Sequence, residues 1–256
     1  LAGQAVNAWI HNARERMYGV GAMTVLLCLI ASVVVCEAVY EPTENYVVQE
    51  IEGWTVYVNR CLLEENKAIG DQVLRLLRAK LYDVNRVVPK DALEELHKVP
   101  IWVEFEDKDI KCMCYHPSKE WLTEHGFNPQ KAKSVEIGNA KTFLTWTLDQ
   151  PSMVLHELAH AYHHRVLGYD NADIKAAYDH AVRSKSYESV LRYNGRRERA
   201  YALNNDQEYF AELTEAFFGQ NDFYPFVRAE VMQHDPEMYE TLMKLWRELD
   251  GRAPPE

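Results

Sequence analysis

The 256-residue chain sets 28 Lys and Arg against 39 Asp and Glu, a formal net charge of −11. Nucleic-acid phosphates demand a basic surface, so this balance excludes a nucleic-acid partner and disfavours an acidic membrane face. With 47% hydrophobic and 26% charged residues, the chain has an ordinary globular composition and the length to bury a core.

Residues 1–38 stand apart from that body. Residues 23–36 (MTVLLCLIASVVVC) hold no charge and follow Arg14 and Arg16, the order of a basic n-region and an apolar h-region. Small residues at Cys36 and Ala38 predict cleavage after Ala38, with Met17 or Met23 as candidate starts. The chain therefore reads as secreted or extracytoplasmic. Residues 18–36 are also just long enough to remain as a membrane anchor, the alternative to a cleaved signal peptide. Residues 39–256 are expected to form a single domain. Its cysteines, Cys61, Cys112 and Cys114, are expected to be buried or singly bridged, with Cys61 paired to one of the other two. Cys112-Met113-Cys114 lacks the two-residue spacer of zinc motifs.

Along the domain, residues 46–51 and 54–59 alternate apolar and polar around Glu52-Gly53, predicting a hairpin. Residues 62–82 carry a helical stripe of Val73, Leu74, Leu76, Leu77 and Leu81. Pro89 ends it; residues 91–99 form a short helix and residues 100–106 alternate as a strand. Residues 118–125 form another helix closed by Gly126. Residues 134–137 are a short strand, expected at an edge of the sheet, where an extended peptide could pair with it. Helices follow over residues 151–167, 171–184, 206–218 and 235–249, with a hairpin over 190–203 turning at Asn194-Gly195. Strands first and helices later imply an α+β fold.

The chemistry lies in His156-Glu157-Leu158-Ala159-His160. Histidines four apart on a helix share a face and can reach one metal ion, with the glutamate beside them placed to take a proton from an activated water. Pro151 suits the first turn of that helix and Gly168 its stop. A third ligand is needed. His164 lies eight residues along, roughly 12 Å by helical rise, too far for one straight helix; His163 fails similarly. The positions that would carry the glycine and third histidine of the metzincin spacing hold His163 and Val166. A second helix must supply a carboxylate, and Glu208, Glu212 and Glu215 lie on one face of the best candidate, opposite Tyr209, Phe210, Leu213, Ala216 and Phe217.

This pairing of a His-Glu-x-x-His helix with a downstream Glu-Tyr-Phe-Ala-Glu helix resembles the gluzincin zinc metallopeptidases, most closely the family of the anthrax lethal factor catalytic domain. The resemblance covers residues 134–219. It implies a zincin-like fold, a small mixed sheet with an active-site helix and a second ligand-bearing helix. It implies one catalytic Zn2+ ion on His156, His160 and Glu208, with Glu157 as the base. It further implies transition-state stabilisation by Tyr201, seven residues before Glu208, and support from Glu212 behind the ligands. Tyr193 is the rival to Tyr201. The expected function is an exported endopeptidase acting on a peptide or protein substrate. The alternatives are a non-catalytic zinc-binding module and a peptidase-like adhesion or toxin component with a decayed site. His116 is expected to cap or pack, and Trp121, Trp146 and Trp246 to sit in the core.

Overall fold

Glu52 and Gly53 both adopt positive φ, 53° and 97°, the backbone twist that a tight two-residue hairpin requires. They join β1 (Tyr46–Ile51) to β2 (Trp54–Asn59) in antiparallel register. The computed structural model describes residues 40–247; the leader, the anchor alternative and the end of the helix expected over residues 235–249 lie outside them. Among the described residues no helix is long and apolar enough to cross a membrane.

After the hairpin the single helix expected over residues 62–82 is two, α1 (Arg60–Glu64) and α2 (Lys67–Val87). The break comes at a corner. The Asn66 amide turns back to the Cys61 carbonyl at 2.8 Å, and Gly70 lies so close to Leu62 that a Cβ would sit 2.2 Å from its carbonyl oxygen. From α2, Val73, Leu77, Leu81 and Val84 are buried, the i, i+4 stripe of an amphipathic helix. Next come α3 (Lys90–Leu96), β3 (Ile101–Val103), β4 (Met113–Tyr115), α4 (Lys119–Glu124), capped by Ser118, and β5 (Val135–Ile137). Strand β3 is shorter than the alternation over residues 100–106 predicts. The chain beyond it makes isolated backbone bonds to residues 137–140, from Glu104 N–H to Ile137, from Asp107 N–H to Gly138 and from Ala140 N–H to Phe105.

The five strands lie in the order β1-β2-β3-β5-β4, with β2, β3 and β5 parallel and β1 and β4 antiparallel at the two edges. The fold is thus α+β with a small mixed sheet. One expectation is corrected: β5 is interior, and β4 folds back outside it to become the edge. Val56, Ile101, Val135 and Tyr115 line up across one face with Val58, Val103, Ile137 and Met113, and all eight are buried. Apolar side chains on that face form the floor of the core on which the helices rest.

The helical part is α5 (Ala140–Trp146), α6 (Met153–Tyr162), α7 (Ala172–Ser184), α8 (Asp206–Phe218), α9 (Arg228–His234) and α10 (Pro236–Arg247). Between α7 and α8 a two-stranded ribbon, β6 (Val190–Leu191) and β7 (Arg197–Glu198), occupies the expected hairpin. Pro151 precedes α6 rather than entering it. Helix α6 lies against β4 and β5 and packs along α8. The three cysteines of the domain are free, correcting the expected bridge. Cys61 contacts Asn66, Cys112 contacts Met153, and Cys114 contacts His116. Trp246 is buried and Trp146 half-buried, but Trp121 is exposed, stacked on His125.

Candidate metal centre

Helix α6 is embedded: Met153, Val154, Leu155, Leu158, Ala159, Ala161 and Tyr162 are all buried. The surrounding packing fixes its rotation and holds His156 and His160 one above the other, their Nε2 atoms 3.1 Å apart. On the neighbouring helix, Asn205 caps α8 by accepting the Glu208 N–H at 2.8 Å. That cap fixes the first turn, and Glu208 extends from it to both rings. Its Oε2 lies 3.1 Å from His156 Nε2 and 3.3 Å from His160 Nε2.

These three donors form a nearly equilateral triangle. Tetrahedral zinc with bonds of about 2.0–2.1 Å separates its ligand atoms by ~3.3 Å, so the donor set fits the ion with almost no rearrangement. Around such an ion the two imidazoles and one carboxylate would fill three corners and leave one free. Burial alone would raise the Glu208 carboxyl, yet the facing imidazoles of His160 and His156 outweigh it and hold it well below the ordinary carboxylate range. Burial likewise acts to lower His156, but its bonds to Glu208 and Glu215 win and raise it well above the usual imidazole value.

Behind the ligands, Glu215 Oε1 accepts from His156 Nδ1 at 2.7 Å. This bond keeps a proton on Nδ1 and turns Nε2 toward Glu208, the orientation that a ligating histidine needs. Glu212, expected in that supporting position, stands 3.8 Å from the same nitrogen. Both carboxylates are buried, each with one oxygen lacking a hydrogen-bond partner. Burial, followed by neighbouring carboxylates, raises Glu212; burial also raises Glu215 despite its bond to His156.

Glu157 is half-buried between the two histidines in sequence. Tyr201 sits in a 3-10 turn, Tyr201–Asn204, that leads into α8, and its hydroxyl donates to Glu208 Oε1 at 3.5 Å. Burial, then the charges of Glu208, Glu212 and Glu157, push the Tyr201 phenol above its ordinary value. Tyr193, its rival, is exposed on the ribbon beside Arg192 and Asp149. The helix beyond His160 is not straight: it widens into a π-helical turn, His163–Leu167, ended by Gly168 at φ 80°. Even so, neither later histidine joins the ligands. His164 Nδ1 bonds the Tyr115 hydroxyl at 2.9 Å, and His163 is fully buried beside Tyr169 and Phe210 with both ring nitrogens unpaired.

Two residues escaped the sequence reading. Glu215 was on the acidic face but had no assigned role. Tyr169 follows Gly168, stacks on His164 and meets His163 edge-on, and burial, then the charges of Glu157 and Glu208, raises its phenol; no spacing signal marks it. Comparison with known proteins returned no match: no family model fits the chain, and neither curated proteins nor solved structures show detectable similarity to it.

Proposed function

We propose that the chain is a zinc-dependent endopeptidase of zincin-like fold, exported by way of its apolar leader. The observation that carries this reading is the triangle of His156, His160 and Glu208 donors, 3.1–3.3 Å on each side, with Glu157 in the same helix turn. The donor set alone would also suit ferrous iron. A carboxylate base and a phenol beside the open corner favour hydrolysis, and a purely structural zinc would close its fourth position with protein.

When bound, zinc brings the pKa of a coordinated water toward 7 and polarises the scissile carbonyl. Glu157 would accept a proton from water and return one to the leaving amine. Tyr201 exchanges its long bond to Glu208 for one to the developing oxyanion. Glu215 holds His156 in the ligating tautomer throughout. Among the described residues strand β4 has no neighbouring strand on its outer side. Its residues Met113 and Tyr115 alternate with the positions bonded to β5, so an extended substrate can add there as a further strand.

The test is hydrolysis of a mixed peptide library by wild type and by Glu157→Gln, with and without chelator. Wild type should cut, chelator should stop it, and zinc should restore it; Glu157→Gln should bind zinc and cut nothing. Equal cleavage by both proteins would remove Glu157 as the base. A zinc-loaded wild type that cuts no peptide would leave the non-catalytic module as the better reading.

A further inference from the structure

On the opposite face of the sheet from the helical core lies a second convergence of donors. Cys114 and His116 are two residues apart on and just after β4, so both project to one face. Glu136 of β5 is the direct cross-strand partner of Cys114. His116 Nε2 stands 3.5 Å from Cys114 Sγ and 2.6 Å from Glu136 Oε2. The three donor atoms lie within 4.8 Å of one another. From this geometry we propose that Cys114, His116 and Glu136 form a second metal site for a thiophilic divalent cation such as zinc, bracing the edge strand β4 against β5.

Several observations converge on a cation rather than on a closed polar cluster. Zinc–sulfur and zinc–nitrogen bonds of about 2.3 and 2.0–2.1 Å put a thiolate and an imidazole ~3.5 Å apart, the separation found here. The His116–Glu136 contact would open to ~3.3 Å. The other oxygen of Glu136 is already held by Lys131 Nζ at 2.6 Å, which leaves Oε2 to serve as a single ligand atom oriented from behind.

The charge balance points the same way. Lys131 also bonds Glu104 at 2.6 Å, so two buried carboxylates surround one ammonium. A Cys114 thiolate would raise the excess to two negative charges, which a divalent ion cancels. Burial, with the Glu136 charge second, keeps the thiol protonated in the ion-free protein, so binding displaces that proton to solvent. Finally, Ser134 precedes Glu136 by two residues and shares its face. It is fully buried, and its hydroxyl has no hydrogen-bond partner.

This inference is independent of the peptidase reading, and the two are separable because the His156 centre contains no sulfur. The test is cobalt titration of the chelator-treated full chain. Wild type should take up two equivalents, one giving a thiolate-to-cobalt absorption in the near ultraviolet. Cys114→Ser should lose that absorption and keep one equivalent, whereas His156→Ala with His160→Ala should keep the absorption. No thiolate absorption in wild type, or its persistence in Cys114→Ser, would overturn the site. Should Cys114→Ser fail to fold, alkylation of wild type mapped by peptide mass decides: zinc should protect Cys114, and an unchanged rate of modification refutes the proposal.

Discussion

His156 is hydrogen-bonded at both ring nitrogens, to Glu215 on one side and to Glu208 on the other. That makes Glu215→Gln an informative substitution. Loss of a partner behind a metal-bound histidine typically weakens binding about 10–100-fold, and zinc affinity measured by chelator competition should fall in that range for Glu215→Gln. Glu212→Gln should change it less, since Glu212 is 3.8 Å away; the reverse order would return the supporting role to Glu212. Tyr201→Phe should lower kcat about 10²–10³-fold, as loss of an oxyanion donor does, with zinc affinity retained. An unchanged kcat would dismiss Tyr201. The convergence of His156, His160 and Glu208 was legible because their spacing is dictated by a single helix turn or carried by a motif. The choice between Glu212 and Glu215 was not, because it depends on how α8 crosses α6, and nothing local encodes that.

At the scale of elements, the centre depends on α8 starting where it does. Asn205→Ala removes the cap on the Glu208 amide and should cost about 1 kcal/mol of stability, read from the denaturant midpoint, together with a measurable loss of zinc affinity. Retained affinity would show that packing alone positions Glu208. Gly70→Ala makes a sharper case. Alanine exceeds glycine by about 0.8–1.0 kcal/mol in a helix interior, yet its methyl would lie 2.2 Å from the Leu62 carbonyl. The melting temperature should therefore fall, and a rise would contradict the close α1–α2 packing. Helices with long apolar stripes or clear caps, such as α2, α7 and α8, were readable from periodicity. The short α5 and α9 offered too few turns to show a period, and the break between α1 and α2 falls at Glu65-Asn66, where no Gly or Pro marks it. The place of β5 in the sheet was misread because an edge and an interior strand of three apolar-flanked residues look alike in sequence; only the return of β4 decides it.

Across the whole molecule, the helical layer is tied together by polar anchors as well as by the core. Tyr187, after α7, and Tyr209 of α8 both donate to Asp235, the residue between α9 and α10. Burial, with Asp235 or a neighbouring phenol next in strength, raises both tyrosines well above the ordinary value of 10.0. Groups raised in this way contribute stability fully below their unfolded pKa of about 10, and that contribution is lost as pH rises toward the folded values. Urea midpoints should hold steady to about pH 10 and then drop, and Tyr187→Phe with Tyr209→Phe should flatten the drop. An alkaline limb unaffected by the double substitution would place its origin elsewhere. Such long-range anchors, like the buried Lys131 between Glu104 and Glu136, join residues too distant in sequence for any local pattern to reveal.

The central claim is that α6 and α8 jointly present one ion-binding triangle. Zinc titration followed by nitrogen-resolved NMR of the histidine side chains reads it directly. His156 and His160 should shift together at their Nε2 atoms as the first ion binds their site, and Glu208→Ala should abolish the paired shift. If zinc leaves both rings unmoved, or moves them equally without Glu208, the triangle is not a metal centre.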